Sequence, residues 1–154
     1  MEITAAQVWL VGGGLCALGI AWQDFRERRI HLAWLVGLGV AGVGWRYGQS
    51  GWWVECGFNL LLTALMTVMV VAFFRLKGER QVMDRLMGWG DVVMLGALAS
   101  WFDSYQFLSF YALMTFLSVL GVTICRILRR LDADFAIPLA GILALGWLVA
   151  IHWI

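Results

Sequence analysis

Proline, charge and paired cysteines are all scarce in this chain. Among its 154 residues there is one proline, only 14% are charged, and the formal net charge is +1. So weak a charge gives no bulk electrostatic case for binding nucleic acid. The three cysteines, Cys16, Cys56 and Cys125, are far apart and form no Cys-x-x-Cys motif. The sequence therefore supports neither a zinc ribbon nor a redox motif, and we interpret the cysteines as buried structural thiols.

The N-terminus also lacks the basic residues that open a secretory signal peptide. The first Lys or Arg in the chain is Arg26, which follows the first apolar segment instead of preceding it. We therefore interpret Ala6–Trp22 as a first helix and not as a cleavable leader.

What the chain has in abundance is apolar residues, which make up 62% of it and give a mean hydropathy of +0.84. A soluble domain of this length cannot bury so much apolar surface. A bilayer core about 30 Å thick needs about 17–25 apolar residues per helix. We therefore predict an all-α membrane protein, a single polytopic helical bundle over residues 1–154 with about six transmembrane helices. The predicted spans are Ala6–Trp22, His31–Tyr47, Trp53–Phe74, Leu86–Phe102, Gln106–Cys125 and Ala136–Trp153.

Small and aromatic residues suggest how the spans pack and where they end. Ala33, Gly37 and Ala41 form a repeated small-xxx-small pattern, which predicts a close helix contact on the second span. Aromatic residues gather at one set of span ends, as in an interfacial belt. They include Trp45, Tyr47, Trp52, Trp53, Trp101, Tyr105 and Trp153.

Basic residues set the predicted orientation. Of the 11 Lys and Arg residues, all but Arg46 lie between spans one and two, three and four, or five and six. By the positive-inside rule these three segments face the cytoplasm, so both termini are predicted to face away from it.

Two acidic residues, Asp24 and Asp91, are unexpected in their positions. The other acids lie at helix ends or among the basic residues, where they serve as solvated counter-charges. Asp24 ends the first span and Asp91 lies inside the fourth, where a carboxylate costs about 2.5–3.5 kcal/mol. Such residues usually face a bundle interior or a wet cavity. The structural alternative is an ion pair, of Asp24 with Arg28 or of Asp91 with Arg85.

The predicted topology places both carboxylates at the cytoplasmic ends of their spans. Two aspartates brought close share one proton, so one is a base that activates water and the other an acid that protonates a leaving amine. That pair hydrolyses peptide bonds. Gly88 and Gly90, just before Asp91, either let a substrate backbone pass close to the carboxylate or provide a turn that alanine forbids.

Three segments together resemble one family. They are the GxGD motif "GWGD" at residues 88–91, "DFRERRI" at residues 24–30 and "IPLAGILALG" at residues 137–146. This combination resembles the type IV prepilin peptidases and archaeal preflagellin peptidases, which are GxGD-type membrane aspartic peptidases. The resemblance implies that Asp24 and Asp91 are the catalytic pair. The supporting residues that it implies are Gly88, Gly90, Arg26, Ile30 and Pro138.

The resemblance also implies a substrate and a location. Substrates would be pilin-like precursors of a type IV pilus or protein secretion system, with short basic leaders. Cleavage would follow a glycine at the cytoplasmic face of the bacterial inner membrane, among membrane lipid and with no cofactor or metal. Larger members methylate the new N-terminus with a domain that carries paired Cys-x-x-Cys motifs. This chain has neither, so cleavage without N-methylation is expected, and a homo-oligomer is left open.

The chain departs from the family pattern at a few positions. His31 and Leu32 replace a Pro-Asn pair, Val93 replaces a common lysine, and Ala140 and Ile142 replace a Gly and a Pro. These departures concern substrate choice first and activity second, because none removes a catalytic acid or base.

Three other functions are alternatives to a peptidase. The main alternative is a catalytically degenerate membrane scaffold subunit of a pilus or secretion system. A small proton-coupled transporter would also hold buried carboxylates, but the sequence shows no internal repeat and places both acids at one face. A serine intramembrane protease is not supported, because His31 and His152 lie at opposite predicted faces.

Overall fold

The structure, a computed structural model, describes residues 4–27, 30–76, 78, 88–127 and 139–151. Every regular element among these residues is an α-helix, which confirms the all-α prediction for the described part of the chain. The six helices are α1 (Ala5–Glu27), α2 (Leu32–Arg46), α3 (Trp52–Leu76), α4 (Trp89–Leu98), α5 (Ser104–Ile127) and α6 (Leu139–Ala150).

The helices follow the six apolar segments but differ in length. By length and composition two of them, α1 and α3, are able to cross a membrane, and the described parts of the others are shorter or less continuous apolar helices. These apolar helices are compatible with a membrane protein. The six-span topology and the orientation of the termini stay predictions.

The predicted fourth span, Leu86–Phe102, is too long for the helix that the structure describes there. Helix α4 has 10 residues and ends at Leu98, after which the backbone turns instead of continuing as α-helix. The Asn59 side chain of α3 donates hydrogen bonds to the carbonyls of Ala99 and Phe102, at 3.2 and 3.0 Å. Because these donors satisfy carbonyls that a helix end leaves without partners, the chain can stop its helix inside the protein.

The core lies where α1 packs between α2 and α6, with α4 behind them. Trp101 and Trp147 are fully buried there, in an edge-to-face contact with ring centroids 4.6 Å apart. Gly13 of α1 makes room for both rings, since a Cβ at that position would lie 2.5 Å from Trp101 and 3.1 Å from Trp147. Helix α3 is peripheral, and its buried residues are confined to its first half.

Only part of the small-xxx-small pattern on α2 lies at a helix contact. A Cβ on Gly37 would lie 2.8 Å from the Cys16 sulfur, so this glycine does allow α1 and α2 to approach closely. Ala41 is buried, whereas Ala33 is exposed and makes no part of the interface.

The aromatic residues predicted at this set of helix ends differ in burial; Trp45 is half-buried, and Trp153 lies outside the described residues. Tyr47, Trp53 and Tyr105 are exposed, as an interfacial belt requires. The belt interpretation is wrong for Trp52 and Trp101, which are buried. The indole N–H of Trp101 donates to the carbonyl of Leu38 at 2.9 Å, so this residue joins α2 to the turn after α4.

The end of the bundle that carries Arg46 has its own polar contacts. Arg46 is buried and forms an ion pair with Glu55, and its Nε also donates to Gln49 at 3.0 Å. At the start of α5, Gln106 donates its backbone N–H to the Asp103 carboxylate at 2.7 Å. These contacts explain the two acids at this end as structural, in agreement with their interpretation as residues of helix ends.

Candidate active site

Asp24 lies in the last turn of α1 and is buried, with 7% of its surface exposed. Its Oδ2 accepts a hydrogen bond of 2.6 Å from the backbone N–H of Gly141, the third residue of α6. A buried carboxylate is costly unless such donors replace the water that it has lost. The C-terminal end of α1 and the N-terminal end of α6 are therefore joined through this aspartate.

Asp91 lies near the N-terminal end of its helix, in the first turn of α4, whereas Asp24 lies near the C-terminal end of α1. Its Oδ2 accepts a hydrogen bond of 3.2 Å from the backbone N–H of Gly88, the residue that caps the helix. This is the carboxylate half of a capping box, and an acidic residue there also suits the positive end of the helix dipole. Asp91 thus has a local structural role whether or not it takes part in chemistry.

The structure brings the two aspartates together. Asp91 lies close enough to Asp24 for the two carboxylates to interact electrostatically. The end of α1 and the start of α4 therefore bring two carboxylates near each other, and the start of α6 contacts one of them, Asp24. Helix capping does not require a second carboxylate beside Asp91, so the pairing needs another explanation.

The glycines of the GWGD segment are not in strained conformations. Gly88 has φ −71° and ψ 148°, which any residue adopts, and Gly90 is helical. Among the described residues, the glycines with positive φ are Gly48, Gly51 and Gly78. The interpretation that residues 88 and 90 provide a turn that alanine forbids is therefore wrong. Close approach of another chain to Asp91 is the interpretation that remains.

The supporting residues taken from the resemblance have different surroundings. A Cβ on Gly90 would lie 3.3 Å from the Cδ1 of Ile30, so the α1–α2 connection packs on the GWGD turn. The Arg26 guanidinium lies 5.8 Å from the centroid of the Trp22 ring, on the outer side of α1. Pro138 lies outside the described residues. So do Arg28 and Arg85, the partners in the alternative ion pairs.

A comparison with protein families gives a match to the type IV leader peptidase family over residues 11–127. This protein belongs to that family. The matched range contains both Asp24 and the GWGD segment and ends before α6. No curated protein and no solved structure matches the chain. Family membership indicates a peptidase.

An apolar groove lies on the surface of α1, next to α6. It has a volume of about 500 Å³ and is lined by Leu18, Ala21, Trp22, Phe25, Arg26 and Leu145. A Cβ on Gly141 would lie 3.0 Å from the Phe25 ring and 3.1 Å from the Asp24 carboxylate. The groove therefore shares Phe25 with the surroundings of Gly141, although neither aspartate lines it.

The sequence does not mark two residues that contribute to the surroundings of the aspartates. Gly141 lies in the segment at residues 137–146, but nothing local identifies it as a donor to Asp24. The other residue is Gln23, whose side chain accepts a hydrogen bond of 3.1 Å from the backbone N–H of His31. This bond links α1 to the residue just before α2, where His31 and Leu32 depart from the family pattern. Among the described residues, no three His, Cys, Asp or Glu side chains are grouped as metal ligands.

Proposed function

We propose that this protein is a membrane aspartic endopeptidase. It removes short basic leaders from pilin-like precursors at the cytoplasmic face of the bacterial inner membrane. The proposal is supported by the position of Asp24 and Asp91, which come from helices far apart in the chain and lie close enough to interact electrostatically, in a member of a leader peptidase family.

The proposed mechanism uses the two carboxylates in complementary states. One is ionised and takes a proton from a water molecule, whose oxygen attacks the carbonyl carbon of the scissile peptide bond. The other is protonated and polarises the carbonyl oxygen. As the C–N bond breaks, the leaving amine takes up a proton from the dyad, so one water is consumed and one peptide bond is cleaved.

The surroundings support this chemistry in two ways. Backbone N–H groups hold Oδ2 of Asp24 at 2.6 Å and Oδ2 of Asp91 at 3.2 Å, which fixes the direction of each carboxylate. Such fixed geometry lowers the barrier, because reacting groups lose little freedom when the substrate arrives. The apolar groove on α1, whose lining includes Phe25, the residue after Asp24, suits a substrate with an apolar helix next to the cleaved bond.

The product is proposed to keep an unmodified N-terminus. This rests on the lack of any Cys-x-x-Cys motif in the chain and on the resemblance to members that use such motifs in a methylating domain. His31, Leu32 and Val93 are exposed and lie at or near the site's end of the bundle. Their departure from the family pattern is therefore proposed to change substrate preference more than chemistry.

A catalytically degenerate scaffold subunit is the second candidate function. It is favoured by the hydrogen bond between Asp91 and Gly88, because a helix cap explains that aspartate without catalysis. A scaffold keeps Asp91 for folding, whereas a peptidase needs it for proton transfer. Substitution by asparagine separates these roles, since an amide oxygen still accepts the Gly88 N–H but the side chain no longer titrates.

The test is cleavage of a pilin-like precursor in membranes that contain each variant at matched expression. We expect Asp24→Asn and Asp91→Asn each to remove nearly all conversion to the mature form. The double variant should be little worse, since residues that act as a unit are not additive. Asp103→Asn is the control at the other end of the bundle. Asp84→Asn, Asp132→Asn and Asp134→Asn, assigned to solvated segments, should also remain active.

Full cleavage by Asp91→Asn would refute the aspartic mechanism. A wild-type chain that is stably produced but cleaves no pilin-like precursor would favour the scaffold. Loss of the Asp91→Asn protein itself from the membrane would assign this residue a structural role, either as a cap or in an ion pair with Arg85.

A further inference from the structure

The first turn of α6 contacts one member of the carboxylate pair directly. The backbone N–H of Gly141 donates to the Asp24 carboxylate at 2.6 Å, and Gly141 is buried. N–H groups in the first turn of a helix have no partner within that helix, so they are available to bind outside groups.

We propose that Gly141 is a positioning residue that holds the catalytic carboxylate of Asp24. The inference rests on the proposed peptidase function and adds the contact that orients this member of the dyad. Gly141 does not touch the substrate in this proposal, and it acts through Asp24.

The physical reason is the repulsion that a pair of carboxylates must overcome to lie side by side. The N-terminus of a helix carries the equivalent of about half a positive charge. Placed against the Asp24 carboxylate, it attracts the negative charge, and hydrogen bonds from N–H groups to charged acceptors are stronger and shorter than neutral ones. The 2.6 Å bond from Gly141 to Asp24 is of this short kind.

The lack of a side chain at Gly141 is part of this arrangement. A Cβ there would lie 3.1 Å from Oδ2 and 3.3 Å from Cβ of Asp24, and 3.0 Å from the Phe25 ring. These distances are shorter than ordinary van der Waals contacts, so a side chain would push Asp24 away from its donor. Glycine lets the α6 backbone approach the aspartate closely enough to bind it.

The direct experiment replaces the Gly141 amide by an ester, using glycolic acid at position 141 during cell-free synthesis into lipid nanodiscs. This change removes the N–H and adds no side chain. We expect kcat for precursor cleavage to fall about tenfold to a hundredfold, with KM changed less than about twofold, because the dyad loses its alignment while substrate binding is untouched.

The matched control is the same ester at Gly146, on the same helix. That position also loses an N–H, but one that serves the helix ladder and not a carboxylate. Its kcat should stay within about twofold of the parent, although the helix is weakened about as much. Gly141→Ala, which keeps the N–H but adds a Cβ, should also lose kcat, whereas Gly12→Ala should not, since its Cβ meets nothing within 4 Å.

A spectroscopic measurement tests the contact independently of activity. In protein labelled with ¹⁵N-glycine, the Gly141 amide proton should resonate downfield of the other helical glycines, and Asp24→Asn should move it upfield. An unchanged kcat for the Gly141 ester, or a Gly141 resonance that Asp24→Asn leaves in place, would overturn the positioning role alone. Parent protein that cleaves no precursor would overturn the proposed function, and this inference with it.

Discussion

Asp24 and Asn59 are two buried polar residues in otherwise apolar helices, and each is bound to the backbone of a different helix. Asp24 takes its hydrogen bond from α6, and Asn59 gives two to the turn after α4. Buried polar groups are costly without partners, so each residue fixes a particular helix neighbour. The first of these contacts builds the site, and the second ends the helix that carries Asp91.

Asn59→Leu should lower the stability of the protein without direct loss of catalytic groups. The substitution keeps the size of the side chain but leaves the carbonyls of Ala99 and Phe102 without their donor. We expect the free energy of unfolding to fall by about 1–3 kcal/mol. Chemical denaturation in detergent, followed by tryptophan fluorescence, measures the change.

The control for this variant is Thr123→Val on α5. The Thr123 hydroxyl is exposed and donates only to the Val119 carbonyl of its own helix, at 2.8 Å. Its loss should change stability by less than about 0.5 kcal/mol. Equal stability of the Asn59→Leu and parent proteins would show that the turn after α4 does not depend on the Asn59 side chain.

Among the helices, α1 and α6 determine the site most directly, because they carry Asp24 and its donor. Their contact also depends on Gly13, which lies against the rings of Trp101 and Trp147. Gly13→Ala should force these rings apart and destabilise the protein by about 1–3 kcal/mol. The neighbouring Gly12→Ala, whose Cβ meets nothing within 4 Å, should be neutral or slightly stabilising.

Thermal unfolding of both variants in the same detergent gives this comparison. A Gly13→Ala protein that unfolds at or above the temperature of Gly12→Ala would contradict the packing described here. Precursor cleavage by Gly13→Ala should fall with its folded fraction, since the substitution lies away from both aspartates.

Gly88, at the N-terminal end of α4, should tolerate alanine, unlike Gly13. A Cβ on Gly88 would lie 3.5 Å from the Asp91 carboxylate, an ordinary contact, and its φ of −71° suits alanine. Gly88→Ala should therefore fold normally. If a substrate backbone passes close to this position, KM should rise several-fold while kcat changes little. A normal KM would refute close approach at Gly88.

For the whole molecule, the orientation predicted from the basic residues is open to direct measurement. Single cysteines at positions 28 and 80, in a chain without its native cysteines, should react with a membrane-impermeant reagent only after the cytoplasmic side is exposed. A cysteine at position 49 should react from outside, because this residue lies beside Arg46 at the other end of the bundle.

Labelling of position 28 or 80 from outside intact cells would refute the predicted orientation. The meeting of Asp24 and Asp91 would survive as a structural fact, but cleavage would then have to occur at the other membrane face. Proposed substrates with basic leaders on the cytoplasmic side would no longer fit.

The sequence by itself determined the helices and the end of the bundle at which both aspartates lie. Long apolar segments separated by basic residues specify helices locally, and alternating chain direction places the end of the first segment beside the start of the fourth. The predicted helix ends differ most from the observed ones at the C-terminal ends of α1 and α4, and the end of α4 depends on Asn59 of another helix. The aspartate pair was also within reach of sequence reasoning, through the GxGD motif.

Only the tertiary structure decided which side chains meet. Asp24 and Gly141 are separated by 117 positions, and nothing local marks that glycine as a donor. Trp101 and Tyr105 are both aromatic residues at the same set of predicted span ends, yet the first is buried and the second is exposed. The physical reason is that these helices are apolar on all sides, so their patterns carry little information about which face is buried. The rotation of each helix is set by contacts with its neighbours, and the first turn of α6 reaches Asp24 only through that packing.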